Sequence, residues 1–154
     1  MKRTATKRRK RAKVWKSKAQ ASHLHFRRAT RLEARDAAAA RAAYEACLQG
    51  DCAHLEASIN LARLLHAQGL VNDAEALYRG SDDASPILCF NLGLLLEDLE
   101  REVEAIEAYR EALSHDPGMA DAHLNLSLIH SRRGEAQPAF RHLLAYRRLN
   151  RLTA

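Results

Sequence analysis

Cysteine and histidine are the side chains of this sequence best suited to binding a metal ion. The chain has three cysteines and eight histidines, and Cys47, Cys52 and His54 lie close together along it. Their Cys-x4-Cys-x-His spacing lacks the closely paired ligands that are typical of zinc sites. Free cysteine is also among the most frequently buried residue types. We therefore predict structural thiols here, with no bound metal or cofactor.

Two further histidines, His123 and His130, are seven residues apart and share one face of a predicted helix. This spacing can place two metal ligands side by side. However, each also lies 34 residues after a residue suited to burial, Cys89 and Leu96 respectively. Because the two histidines share the period of the packing positions, we predict that they lie in the core or at an interface.

Local motifs for catalysis are missing from the sequence. It has no G-x-S-x-G, no phosphate-binding glycine-rich loop and no H-E-x-x-H. The acidic residues between Glu97 and Glu104 resemble the exposed edge of a helix–turn–helix, whereas an acid/base pair needs a closed pocket. The sequence therefore predicts a protein that is not an enzyme.

The N-terminal segment carries a strong positive charge. Residues 1–31 have 13 Lys or Arg and no acid, whereas residues 32–154 have 12 bases and 19 acids. A dense run of bases within the segment predicts salt-sensitive contact with phosphates; it comprises Lys7, Arg8, Arg9, Lys10, Arg11 and Lys13. Trp15 and Phe26 are candidates for stacking on single-stranded bases. A disordered solubilising tail or a non-native leader are the alternatives.

The length and composition favour one helical domain. The chain has 154 residues and only three Pro and six Gly, a composition that leaves few breaks between helices. No apolar stretch approaches the ~20 residues that span a bilayer. The odd number of cysteines and the absence of a signal-peptide pattern predict reduced thiols and a cytoplasmic location.

An internal repeat runs through the chain. Asn60-Leu61-Ala62 recurs as Asn91-Leu92-Gly93 after 31 residues and as Asn125-Leu126-Ser127 after a further 34. A second set of positions follows the same spacing: Ala40, Ala74, Ala105 and Ala139. The small residues predict close approach of two helices within a hairpin. We expect Asp36 to cap a helix that runs through Leu48, with Gly50 just after it.

These residues resemble the tetratricopeptide repeat, whose unit is two antiparallel helices in about 34 residues. The chain is similar to small bacterial members of that family. The resemblance implies an all-α fold in which helix hairpins stack as a right-handed superhelix. It also divides the chain into a basic disordered arm, a divergent first repeat or helical cap, a shortened repeat that ends early at Gly80, the best-matching repeat, and a C-terminal repeat with a terminal helix: 1–20, 21–54, 55–85, 86–119 and 120–154.

The first helices of such repeats line a concave groove, and the resemblance assigns ten residues to it: Ile59, Arg63, His66, Phe90, Leu94, Glu97, Asp98, Leu124, Leu128 and Arg132. Several are apolar, and the basic and Asn pattern of the carboxylate-clamp subgroup is missing. An apolar or amphipathic helix is therefore the favoured ligand. The alternative is a groove covered by residues 21–34 or by the final helix.

The functional hypothesis is a protein–protein interaction module or adaptor that binds a partner helix or peptide in this groove. The alternative is a nucleic-acid-associated regulator whose basic arm contacts DNA or RNA. The sequence leaves open both the identity of the partner and the oligomeric state.

Overall fold

The computed structural model describes residues 18–51, 53–80 and 85–152, which form eight α-helices and no strand. In chain order the helices are α1 (18–32), α2 (Ala37–Gly50), α3 (Leu55–Ala67), α4 (Val71–Arg79), α5 (Pro86–Asp98), α6 (Glu102–His115), α7 (Ala120–Arg132) and α8 (Ala136–Leu152). The chain divides into two compact units, Met1–Ala74 and Glu75–Ala154, with the boundary inside α4.

In the first unit, aromatic and small residues pack between the helices. Tyr44 of α2 is fully buried, and its hydroxyl accepts a hydrogen bond of 3.2 Å from Nδ2 of Asn60 in α3. Phe26 of α1 lies against the ring of Tyr44, with 6.0 Å between ring centroids. Ser22 of α1 approaches the backbone of Gly50 so closely that a Cβ there would overlap the Ser22 hydroxyl. Residues of α1 therefore belong to the core of this unit.

Local signals in the sequence fix the ends of α2 and α4. Oδ1 of Asp36 accepts a hydrogen bond of 2.9 Å from the Ala39 amide, which confirms the predicted cap of α2. The prediction that α2 ends before Gly50 was wrong, because Gly50 is its last residue and the Asp51 amide bonds to the Cys47 carbonyl. Helix α4 ends at Arg79, directly before Gly80, as predicted.

In the second unit, α5 pairs with α6, α6 with α7, and α7 with α8. The α5–α6 pair closes around Gly93 and Tyr109, since a Cβ on Gly93 would lie 2.5 Å from Cε1 of the Tyr109 ring. Leu92, Leu96, Tyr109 and Leu126 are all buried. The small residue predicted at position 93 is therefore required for the two helices to approach.

The turns after α3, α5 and α7 share one backbone geometry. In each, an amide bonds to a carbonyl five residues earlier: Leu70 to Leu65, Arg101 to Leu96, and Glu135 to His130. This is the bond of a Schellman motif, whose central residue is left-handed. That residue is Gly69 (φ 76°) and Gly134 (φ 73°) in the outer two turns, but Glu100 (φ 58°) in the middle one.

The structure confirms an all-α fold of antiparallel helix hairpins. The division into five segments remains a prediction, and the basic run from Lys7 to Lys13 lies outside the described residues. Among the helices of the described ranges, none is both long enough and apolar enough to cross a membrane.

Candidate partner-binding surface

The Tyr109 hydroxyl joins three helices of the second unit. It donates a hydrogen bond of 2.7 Å to Oε2 of Glu97 in α5 and accepts one of 3.1 Å from Nδ2 of Asn125 in α7. Burial and, to a lesser degree, the bond to Glu97 raise the pKa of Tyr109 above its usual value. Tyr109 therefore stays a neutral donor and holds α5 and α7 alongside each other.

An ion-pair network lies next to this hydroxyl. Nη2 of Arg132 in α7 lies 2.7 Å from Oε1 of Glu97, and its Nε lies 3.2 Å from Oε1 of Glu102. The hydrogen bond to Glu97 is the main reason that the pKa of Arg132 is raised, so the guanidinium remains charged. Arg132 is half exposed, whereas Glu97 is mostly covered.

Four apolar side chains continue from the ion pair along α5 and α7. Leu94 and Leu128 are 38% and 50% exposed, although their neighbours Leu95 and Ile129 are buried. Phe90 and Leu124, one turn earlier in each helix, are half-buried. Since residues four apart share a helix face, both helices present an apolar stripe that ends at the Glu97–Arg132 pair. We call these six residues the α5–α7 surface.

The other four predicted groove residues lie outside the α5–α7 surface. Asp98 is exposed at the end of α5. In the first unit, Ile59 and His66 are half-buried on α3. Nη2 of Arg63 lies 3.1 Å from Oε1 of Glu33, which directly follows α1. In this unit the end of residues 21–34 therefore contacts one predicted groove residue.

The acidic turn between α5 and α6 borders a cleft of about 800 Å³. Its walls are almost entirely charged: Glu97, Asp98, Glu100, Arg101, Glu102, Val103, Glu104, Arg132 and Arg133. Arg101 lies 2.6 Å from Oε2 of Glu75 and also bonds to Glu104. These bonds to Arg101 are the largest cause of the lowered pKa of both carboxyl groups. The carboxylates are thus held ionised in ion pairs, as suits an exposed edge.

The predicted histidine pair forms a larger cluster with His142 of α8. Nδ1 of His123 lies 2.9 Å from Nδ1 of His142, and the His130 ring stacks on the His142 ring with 5.8 Å between centroids. His130 is buried, and its Nδ1 contacts Oε2 of Glu135. Burial first, then the charges of His123, His130, Arg110 and Arg141, lowers the pKa of His142 to about 4.

Sequence reasoning missed His142 because it lies on the partner helix, 19 residues from His123. The pairing of α7 with α8 that the repeat implies was the signal from which His142 could have been predicted. Within the described ranges, no group of three or more His, Cys, Asp or Glu side chains is arranged to hold a metal ion.

The other predicted chemical groups have structural surroundings. Cys47 and Cys89 are buried free thiols, and burial is the main cause of their raised pKa values. Nδ1 of His54 accepts a hydrogen bond of 3.3 Å from the Ala57 amide at the start of α3. The prediction that Phe26 stacks on bases conflicts with its position, because its ring packs on Tyr44 and on His54, 4.7 Å away. Cys52 lies outside the described residues.

Comparison with known families identifies the class of protein. Models of the tetratricopeptide repeat match two adjoining segments, residues 31–86 and 86–119, which together span more than half of the chain. The chain belongs to the tetratricopeptide-repeat family. A curated relative is tetratricopeptide repeat protein 8 of Caenorhabditis elegans, 34% identical over 59 residues. That match covers 38% of this chain and 12% of the relative.

Solved structures show the same fold at low sequence identity. A crystal structure of MamA protein has a TM-score of 0.70 at 21% identity and covers 85% of this chain and 74% of its own. MamA from Desulfovibrio magneticus gives 0.68 at 20% identity, covering 84% and 76%. A tetratricopeptide repeat protein from Parabacteroides merdae gives 0.71 at 16% identity, covering 82% and 52%. Family membership supports a role in protein–protein interaction, whereas the absence of enzymatic activity remains a prediction.

Proposed function

We propose that the α5–α7 surface binds an amphipathic helix or peptide of a partner protein. The observation that carries this proposal is the exposure of Leu94 and Leu128 beside buried neighbours on the same two helices. An amphipathic helix inserts apolar side chains at three- and four-residue intervals into such a surface. The stripes of α5 and α7 have the same intervals.

The rigidity of the surface also supports this proposal. Tyr109 bonds to both helices, and the Glu97–Arg132 pair links their C-terminal turns. A surface that is already ordered loses little conformational entropy on binding. The apolar contacts then supply most of the affinity, while the charged pair at the edge sets the orientation of the partner.

Two single substitutions, Leu94→Asp and Leu128→Asp, test the proposal. Both side chains are partly exposed, so an introduced aspartate reaches water and the helical content should persist. The thermal midpoint of Leu94→Asp should fall somewhat, because Glu97 and Asp98 follow one turn later. At least one partner recovered by the intact chain should be lost from both variants, because binding would bury the introduced carboxylate against apolar side chains of that partner. Quantitative affinity purification with isothermal titration of a recovered partner measures the loss.

Leu24→Asp is the matched control, since Leu24 is 65% exposed on α1 of the first unit and is not part of the α5–α7 surface. Partner binding should survive this substitution. If a folded Leu94→Asp and Leu128→Asp double variant kept its partners, the α5–α7 surface would be excluded as the binding site.

The nucleic-acid alternative rests on the separation of charge along the sequence. Residues 1–31 have 13 bases and no acid, whereas the rest of the chain has an excess of acids. Such an arm binds phosphates with little sequence preference. In this alternative the arm provides the contact with DNA or RNA, and the repeats recruit other proteins or dimerise.

A further inference from the structure

The exposed side of α8 differs in chemistry from every surface described above. Phe140 and Leu144 are 59% and 48% exposed, one helical turn apart. Four exposed arginines share or border this side: Arg141, Arg147, Arg148 and Arg151. The helix has no acidic residue along its 17 positions. We call these six residues the α8 face.

The helix period separates the α8 face from the side that packs on α7. His142 contacts His123 of α7, and Leu149 is partly buried. Positions 140, 144, 147, 148 and 151 recur at three- and four-residue intervals and therefore form one continuous stripe on the other side. Phe140 and Leu144 lie toward the start of this stripe, and three arginines occupy its later turns.

The arginines of the α8 face have no counter-charge within the part of the chain that the structure describes. Ion pairs occupy Arg101, Arg132 and Arg133 elsewhere in this unit, but none involves Arg141, Arg147, Arg148 or Arg151. A guanidinium presents a planar fork of donors that matches a carboxylate in two parallel hydrogen bonds. An exposed row of such groups beside two apolar side chains fits a ligand that offers both carboxylates and apolar anchors.

From this arrangement we propose that the α8 face docks an acidic amphipathic helix of another protein. Leucine or similar residues of that helix, four apart, lie against Phe140 and Leu144, while flanking glutamates or aspartates pair with the arginines. This proposal does not depend on the α5–α7 surface, because the two surfaces share no residue. It adds a second partner protein, whose docking helix is acidic.

The same residues fit other anionic ligands less well. A helix that lies in a bilayer surface needs an extended apolar side, whereas the exposed large apolar residues here span one turn, from Phe140 to Leu144. Contacts with nucleic acid rest on cations and stacking aromatic rings, and these give the exposed Leu144 no role. A protein helix uses both the apolar pair and the arginines.

A labelled peptide of about five helical turns, with leucines at i and i+4 flanked by glutamates, is the probe. Fluorescence anisotropy with the full chain measures its dissociation constant, and a scrambled peptide of the same composition shows whether the helical pattern matters. The joint substitution Phe140→Ser and Leu144→Ser leaves every charge in place, so attraction of the peptide to the N-terminal bases is unaffected. It should weaken binding about tenfold or more.

Arg147→Glu should weaken binding by a similar factor, whereas two controls should leave it unchanged. Arg35→Glu makes the same charge change at an exposed arginine of the first unit. Leu24→Ser with Val103→Ser removes two apolar side chains that are 65% and 60% exposed elsewhere. Amide chemical shifts of the labelled full chain should change along α8 when the peptide is added.

Three results would overturn the proposal. In the first, the serine variant binds normally while Arg147→Glu does not, which indicates attraction between charges without docking. In the second, the chemical-shift changes fall outside α8. In the third, the peptide fails to bind but vesicles of phosphatidylserine and phosphatidylcholine bind in a manner that requires Phe140 and Leu144, which assigns the face to a membrane surface.

Discussion

Replacing Gly93 by alanine tests how closely α5 and α6 must approach. An added Cβ would lie 2.5, 2.7 and 2.8 Å from three carbons of the Tyr109 ring. Carbon atoms in contact are normally about 3.5–4.0 Å apart, so the ring must move by about 1 Å. That movement strains the hydrogen bond that the Tyr109 hydroxyl donates to Glu97 and the one that it accepts from Asn125.

Three contributions set the size of this effect, two that destabilise the protein and one that stabilises it. Overpacking of this size costs about 1–3 kcal/mol, and weakening a buried hydrogen bond costs about 1 kcal/mol more. Alanine is better than glycine inside a helix by about 1 kcal/mol. We therefore expect Gly93→Ala to lower the free energy of unfolding by about 1–3 kcal/mol, despite its higher helix propensity.

Urea denaturation followed by circular dichroism measures the change. Ser131→Ala, at an exposed position of α7, is the control and should shift the free energy by about 0.5 kcal/mol or less. Tyr109→Leu removes the ring, so adding Gly93→Ala to that variant should be neutral or stabilising. If Gly93→Ala stabilised the protein with Tyr109 present, close contact at this position would be refuted.

Three further results are expected. Leu92→Ala should destabilise by about 2–5 kcal/mol in denaturant melts, because Leu92 is buried. The pKa of His142 is lowered from 6.5 to about 4. The free energy of unfolding should therefore be unaffected by this group above pH 6.5 and decrease as the pH drops from 6.5 toward 4, because the unfolded chain binds the proton first. Since the side chain is half-buried, solvent screening reduces the loss to about 1–2 kcal/mol, and His142→Gln should flatten the pH profile of the melting temperature. Removing residues 1–20 should leave the melting temperature nearly unchanged but abolish salt-sensitive binding to DNA or RNA in gel-shift titrations; equal binding by the truncated chain would exclude the arm.

Features that depend on neighbouring positions in the chain were predictable from the sequence. The column of Ala62, Gly93 and Ser127 identified the helix pairs because helix contacts in a repeat recur with the repeat length. Asp36 and Gly80 fixed helix ends through local backbone chemistry. These signals need only the sequence and the geometry of one hairpin.

Features that depend on side-chain packing were not predictable in this way. The structure places the Phe26 ring against Tyr44 and His54, a contact that the sequence pattern does not indicate. Gly50 is the last residue of α2, and its missing side chain leaves room for Ser22 of α1. This is a contact between two helices. The partners of Arg132 and the cluster around His142 also depend on which rotamers meet across helices, and the repeat pattern does not contain that information. The predicted members of the α5–α7 surface remain a prediction until a partner is found.

Glu100 combines a left-handed backbone conformation with a place on the wall of the charged cleft between α5 and α6. Gly69 and Gly134 adopt the same conformation in the equivalent turns without steric cost. A glutamate there is strained by about 1 kcal/mol or more. Turn formation alone thus favours glycine at all three positions. The glutamate in the middle turn accepts this strain and adds a carboxylate to the wall of the cleft.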